Sequence, residues 1–452
     1  MPGKKLLFVS ANRYVNPYPV YPLGLSYLYT YLHERLPHYE IRIFDFNLNP
    51  LSAFKTYLSE FQPDFVGLSL RNIDDVNFYS QESFIGSYKS IVDAIRETSL
   101  ATVIIGGSGF SIYPVELFSL LAPDYGISGE GEESLYRLLA SLEQNKPDLN
   151  IEGLVFRQNG KIFSNKRTLF IHEPDLSFDQ DLIGFYWDKA GMVNIQTKRG
   201  CPYNCIYCTY PLIEGHKVRT LDPAKIVQTL TDLHYQHQID YLFFTDSVFN
   251  INNAYNEELA KKMIAAKLPL HWGAYFSPNN LTLDQLKLYA EAGLTHIEFG
   301  TESLSDKTLK NYGKHFTVED VVRVSDYANQ VGVYFCHFMI IGGYGETEQT
   351  IEESFENSKR IANTVFFPFI GMRVYPGTEM HRKALQEGLV SQDDDLLEPV
   401  YYIAPDINYA TLKERAEKTG RRWVFPDEDV ATVMNRMRKR KRKGSLWHHL
   451  KK

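Results

Sequence analysis

The chain has 452 residues, 44% of them hydrophobic and 23% charged, with a formal net charge of −7; that is enough to bury a large core and to hold two domains. No run approaches the roughly 20 apolar residues of a membrane span, and the start, MPGKKLLFVSANRY, shows no small-residue cleavage site after its lysine pair, so a cytoplasmic protein is expected. Four cysteines occur, three of them between positions 201 and 208, a distribution that excludes a disulfide framework and suits a metal site in a reducing compartment.

From Lys4 short apolar runs alternate with amphipathic stretches: KLLFVS, the PLGLSYLYTYLHERL region, IRIFDF, a helix near 51–60, DFVGLSL, ATVIIGG and DYGISG. This is the βαβ rhythm of a doubly wound parallel sheet of about five strands, residues 1–145. Ligands of such sheets sit at the strand carboxyl ends, here 10–14, 69–75, 106–110 and 129–132. The G-x-G-x-x-G dinucleotide fingerprint is absent after the first strand, although a nucleotide- or flavin-binding domain remains an alternative. Residues 146–190 read as a linker with a hairpin at Asn159-Gly160.

A second alternating series follows in 191–385: VNIQTK, YLFFTD, LHWGAYFS, THIEFG, VYFCHFMIIGG and VFFPFIGMRVYP. Six strand–helix units predict an incomplete (β/α)6 barrel with its chemistry at the strand carboxyl ends. A small extension, 386–435, and a basic tail, 436–452, complete the chain. Directly after the first strand of this series, KRGCPYNCIYCTYP places Cys201, Cys205 and Cys208 in C-x3-C-x2-C spacing. Three soft thiolates on one short loop can hold a face of an iron–sulfur cube and leave one iron open. A zinc knot completed by His216 is the alternative, although the loop opens a βα barrel. Cys336 lies in an apolar strand and reads as a small core residue.

The cysteine motif resembles that of the radical S-adenosylmethionine (SAM) superfamily, and later strand ends support the likeness. IEFGTES resembles the family's G-x-E-S element, which makes Glu298, Glu302 and Ser303 candidates to contact the ribose or amino group of SAM. Tyr207, just before the last cysteine, and Asp246, at the end of the second strand, are further candidates for the same rim, with a helix cap as the plain reading of Asp246. MIIGGYGET resembles the glycine-rich G-x-P-G-E-T turn with Tyr344 in place of proline; Glu346 and Thr347 also serve as helix-capping residues. In the front half, DFVGLSLRN, VIIGGSGFSIYP and DYGISGEGEES resemble the cobalamin-binding domain that precedes the barrel in one branch of the superfamily. The resemblance implies contacts from Ser69, Arg71, Asn72, Gly106, Gly107, Gly109, Gly129, Glu130 and Gly131. The first loop lacks the D-x-H-x-x-G element that brings a histidine to cobalt, so Arg71 or Asn72 would cover its lower face.

What the resemblance implies is an α/β enzyme using a [4Fe–4S] cluster, SAM and cobalamin, reduced by a donor such as flavodoxin or ferredoxin. It would transfer methyl from methylcobalamin to an unactivated carbon activated by a 5′-deoxyadenosyl radical; cyclisation, ring rearrangement or oxidation without methyl transfer is the alternative. A small-molecule or lipid-like substrate is expected, the nearest subgroup being that labelled lipid-biosynthesis cobalamin/radical proteins. The tail RMRKRKRKGSLWHHLKK carries nine Lys or Arg, leaving 39 basic against 55 acidic side chains, or −16, for residues 1–435. With Leu446, Trp447 and Leu450 at near-helical spacing it predicts a peripheral membrane anchor. Nucleic-acid binding is the other reading of such a run, disfavoured by the acidic body.

Overall fold

Short apolar runs bounded by polar turns become the strands of two parallel sheets in the computed structural model, which describes residues 3–168, 170–171 and 173–451. In the front sheet β1 (Lys5–Ser10), β2 (Glu40–Asp45), β3 (Phe65–Ser69), β4 (Thr102–Gly106) and β5 (Tyr125–Ile127) lie parallel in the order β2-β1-β3-β4-β5. The strand order reverses between β1 and β3, the point at which such sheets bind ligands. Both faces are covered: Leu7, Val9, Val66 and Leu68 enter one buried cluster, and Leu6, Phe8 and Phe65 another. Double coverage is why these strands read as unbroken apolar runs.

The stretch 146–190, expected as a linker, is built into the fold. β6 (Leu154–Gln158) and β7 (Lys161–Ser164) form a hairpin about Asn159 and Gly160, which stand at φ 51° and 79°. β6 adds antiparallel to β5, so the front sheet continues to Ser164. The helix Gln180–Ala190, capped by Asp179 at 2.9 Å from the Leu182 N–H, packs Leu182, Ile183 and Tyr186 into the core of the second half.

β8 (Val193–Ile195) opens the second sheet. β9 (Lys198–Arg199) and β10 (Arg219–Thr220) form a small antiparallel pair that brackets the cysteine loop. The sheet continues through β11 (Tyr241–Phe244), β12 (His271–Phe276), β13 (Leu294–Glu302), β14 (Tyr334–Ile341) and β15 (Val365–Ile370), each parallel to the last. After a second small pair, β16 (Met372–Arg373) and β17 (Tyr401–Tyr402), the extension supplies a seventh strand, β18 (Arg422–Trp423), beside β15. β8 and β18 end the sheet, so it is an open (β/α) barrel. Along β13, Ile297 and Phe299 pack against the helices, whereas His296 and Glu298 point to the inner face, as the period of two requires; the register shift beyond Gly300 takes Glu302 out of that period.

The tail is part of that inner face. After the helix Val430–Lys439, a short 3-10 turn, Trp447–Lys451, lays Leu446, Trp447 and Leu450 into a buried cluster with Cys336, Val365, Val424 and Met434. The Trp447 indole N–H donates to Glu298 Oε1 at 3.1 Å, and His448 Nδ1 lies 2.8 Å from His296 Nε2. Lys443 sits 4.1 Å over the Trp187 ring, and Gly444 N–H donates to Gly191 O at 2.8 Å. The apolar group expected to face a bilayer therefore faces the barrel, because Leu446, Trp447 and Leu450 find a dry pocket within the chain. Trp447→Ala is expected to lower stability by about 3–5 kcal/mol, read as a lower urea midpoint, without changing sedimentation with anionic vesicles; an anchoring indole would give the reverse.

Candidate functional site

The cysteine loop leaves β9 and returns through the short helix Tyr210–Glu214. Cys201 is buried, its N–H donating to Gly215 O at 3.0 Å; the Cys208 N–H donates to Cys205 O at 3.1 Å, and the Ile206 N–H to Tyr312 O at 3.1 Å. The Glu214 carboxylate ties the loop ends, accepting from Gly200 N–H at 2.9 Å and Gln196 Nε2 at 2.8 Å. The three thiols lie within electrostatic reach of one another, and burial pushes the Cys208 thiol up to about 12. A thiolate there needs a positive partner, which the irons of a cluster supply. Among the described residues no three His, Cys, Asp or Glu side chains converge as ligands of a single ion, and the three thiols suit the separate corners of a cube.

Beneath the loop, Asp246 is fully buried and committed. It accepts from the Thr197 N–H at 2.6 Å, from the Thr197 hydroxyl at 2.6 Å and from Lys198 Nζ at 2.6 Å. It is neither a helix cap nor free to meet a cofactor: the helix Asn253–Ala266 is capped by Asn252. Ser303 is likewise turned into the fold, 3.3 Å from Ser354 Oγ and accepting from the Ser305 N–H. Tyr207 and Glu302, by contrast, meet beside the loop, the hydroxyl donating to Oε1 at 2.8 Å. Glu302 stands at φ 65° where the register with β14 shifts, and Lys314 Nζ reaches the same oxygen at 3.2 Å. Lys314 also places its charge near Cys205 and Cys208; an isolated lysine in NYGKHF gives no sequence signal of that. The 343–345 turn closes without proline, Glu346 N–H donating to Gly343 O at 3.1 Å, while Thr347 caps the helix Glu348–Ser358.

In the front half the aligned ends Ser10, Ser69 and Gly106 of three adjacent strands open into a cavity of about 630 Å³. Ser69, Arg71, Asn72, Gly106, Gly107, Gly109, Gly129, Glu130 and Gly131 all line it, and so do Gln196, Arg199, Thr209 and Tyr210 from the barrel. The Asn12 Nδ2 and the Tyr27 hydroxyl, on two further lining residues, are buried without a hydrogen-bond partner among the described residues, polar atoms that a bound ligand would satisfy. The residues present thus fit a large polar cofactor. Gly107 serves the backbone first: at φ 98° its added Cβ would stand 2.6 Å from Leu70 O. Gly129, at φ 86°, lies where an added Cβ would strike the Arg167 guanidinium.

Glu130, expected as a cofactor contact, is held by cations of the barrel. Arg219 Nη1 donates to its Oε2 at 3.0 Å, and Arg199 Nη2 lies 2.9 Å from Glu132 Oε1. Asp74 similarly receives Arg373 Nε at 3.1 Å. The Arg71 guanidinium, free of Asp74, has no ion pair or hydrogen bond among the described residues; its charge reaches Tyr210 and Tyr275 inside the barrel.

Residues 195–357 match the radical SAM superfamily and residues 12–139 match the B12 binding domain. The chain is 26% identical to an uncharacterized methyltransferase of Pyrococcus horikoshii, over 82% of this chain and 79% of that one. It is 22% identical to the tryptophan 2-C-methyltransferase of Streptomyces laurentii, over 79% of this chain and 71% of the relative. Among solved structures, the radical SAM methyltransferase TsrM of Kitasatospora setae, with cobalamin and a [4Fe–4S] cluster bound, superposes with a TM-score of 0.85 at 21% identity, covering 99% of this chain and 97% of that one. A B12-binding sheet ahead of a barrel that opens with a three-cysteine loop defines the class: the chain belongs to the cobalamin-dependent radical SAM enzymes. Its cofactors are the [4Fe–4S] cluster, SAM and cobalamin.

Burial pushes the Glu298 carboxyl up to about 7, opposed only by the Trp447 N–H. A buried acid raised in this way favours folding while protonated and loses that contribution as pH rises through about 7. Glu298→Gln is therefore expected to gain thermal stability relative to wild type between pH 5 and 8, by up to about 3 kcal/mol, with no difference below the ordinary carboxyl range.

Proposed function

We propose that this enzyme is a methyltransferase acting on an unactivated carbon of a small-molecule or lipid-like substrate. One observation carries the reading: a single cavity is walled on one side by the strand ends of the B12-binding half and on the other by Thr209 and Tyr210, the residues that follow Cys208. A substrate there would lie between the B12-binding strand ends and the cysteine loop. When bound, the cluster with SAM supplies a radical that takes hydrogen from carbon, and cobalamin supplies the methyl group. The chain's own part is positioning. Cys201, Cys205 and Cys208 would hold the cluster, with Lys314 placing a positive charge beside two of them. Tyr207 and Glu302, at the carboxyl end of β13, would meet SAM. Ser69 and the Gly106 and Gly107 backbone would meet cobalamin. No histidine among the described residues lines the cavity, and Arg71 or Asn72 would cover the lower side of bound cobalamin.

The cluster must be reduced, which calls for an electron donor such as flavodoxin or ferredoxin as partner. The relatives named as methyltransferases of tryptophan and of cytidylyl-2-hydroxyethylphosphonate support a small molecule as substrate. No helix among the described residues is long and apolar enough to cross a membrane. Contact with an anionic membrane surface would rest on the exposed Arg436, Lys439, Arg440, Lys441 and Arg442 alone.

Reduced, cobalamin-loaded enzyme incubated with methyl-labelled SAM and cell extract is expected to label a product heavier by one CH2; cyclisation or oxidation adds none. Cys201→Ala, Cys205→Ala and Cys208→Ala are each expected to lose the broad visible absorption of about four bound irons and the labelling with it; a variant that keeps both overturns the cluster assignment. Electron paramagnetic resonance of the cob(II)alamin form is expected to lack nitrogen superhyperfine splitting from an axial histidine.

A further inference from the structure

The inner face of the barrel holds Glu298, a sequence candidate for contact with SAM that among the described residues bonds to Trp447 and not to the Tyr207–Glu302 pair. Glu298 lies midway along β13, beside Tyr275 of β12 and Cys336 of β14 in register. It is only 3% exposed, its Oε1 is occupied by the Trp447 indole N–H, and no protein donor among the described residues reaches its second oxygen. The wall above it is aromatic and open. Tyr275 keeps 36% and Phe369 41% of their surface uncovered, although both sit on the inner face of a sheet whose other face is covered by helices and whose inner floor is closed by the tail. Tyr275 also feels both the Glu298 and the Arg71 charges, and Arg71 lines the cobalamin-side cavity; the uncovered space along this inner face forms a chamber above Glu298.

The groups around Glu298 supply no competing cation. Tyr18 and Tyr275, Tyr241, and the Cys336 thiol are all held in their neutral forms by burial. His296 is pushed well below its ordinary value, first by burial and then by His448 and Lys451. Lys451 stands toward Cys336 and the Tyr334 ring, 5.1 Å from that ring. A carboxyl with one unsatisfied oxygen, flanked by neutral tyrosines and without a basic partner, is the complement of a cation: ion pairing favours positive charge, while a second anion is repelled.

We propose that Glu298 is the substrate-recognition group of this chamber, and that the molecule methylated there carries a protonated amine on an aromatic or otherwise apolar body. The proposal rests on the methyl-transfer reading for what is done to that molecule, but not for how it is held. Trp447 is a positioning residue: its N–H fixes the Glu298 rotamer, and the tail sets the depth of the chamber.

The test is binding to the full chain loaded with cluster and cobalamin, by calorimetry, with phenethylamine and phenylpropionate as probes of the same body and opposite charge. Phenethylamine is expected to bind at least tenfold more tightly. Glu298→Gln, which keeps an acceptor for Trp447, should abolish the preference while retaining iron and cobalamin content. In wild type, calorimetry in buffers of different ionisation enthalpy near neutral pH should show a proton released on binding phenethylamine, because Glu298 is the group facing the chamber that titrates there; this readout stands even if the variant fails to fold. Equal affinities, no binding of either probe, a preference kept in Glu298→Gln, or no proton release overturns the proposal. Absence of methyl transfer alongside an intact preference would instead overturn the methyltransferase reading alone.

Discussion

Everything functional in this molecule depends on the ion-pair cluster that joins its halves. Glu130 and Glu132 stand just beyond β5 of the front sheet, and Arg199 and Arg219 lie on the two short strands that bracket the cysteine loop. All four are largely buried. Removing four charges from water is costly, and their mutual attraction offsets that only with good geometry and extra hydrogen bonds. Here Arg219 also donates to the carbonyls of Ile171 and Glu214. What the cluster contributes is registry: it sets the ligand end of one sheet against the ligand end of the other, so that the B12-binding strand ends and the residues following the cysteine loop wall one cavity.

The same logic recurs beneath the loop and in the tail. Asp246 gathers the Thr197 and Lys198 donors into a solvent-free knot and so orders the backbone from which the cysteines rise, without touching them. The tail adds the third wall. An open barrel leaves its inner face uncovered, and a dense basic run would be repelled from other cations but not from this acidic body. Lys443 over Trp187 and Arg438 near Tyr18 hold the tail down while Leu446, Trp447 and Leu450 fill the floor.

These walls give the chamber a gradient of chemistry. Tyr275 and Phe369 stand uncovered along the inner face, and beneath them Glu298 sits with burial working against its charge. Specificity follows from the unsatisfied group, since a site built around one acceptor rejects molecules that leave it unpaired.

The sequence by itself determined the two βα series, the three cysteines and the glycine-rich strand ends, because hydrophobic period and ligand spacing are local properties of a chain. The nine front residues read from it do line one cavity, and Tyr207 does meet Glu302. Only the tertiary structure decided the rest. Asp246, Ser303 and Glu130 sit in motifs that suggest ligand contact, yet their partners lie far along the chain: Lys198, Ser354 and Arg219. Lys314 gains its place near the thiols from the turn after a helix, which no local pattern announces. The tail shows the reason most plainly. Its amphipathic pattern states that an apolar surface must cover Leu446, Trp447 and Leu450, and a pattern cannot say which surface; the uncovered inner face of the barrel, assembled from β8 and β11 to β15 far earlier in the chain together with β18, supplied one within the same molecule.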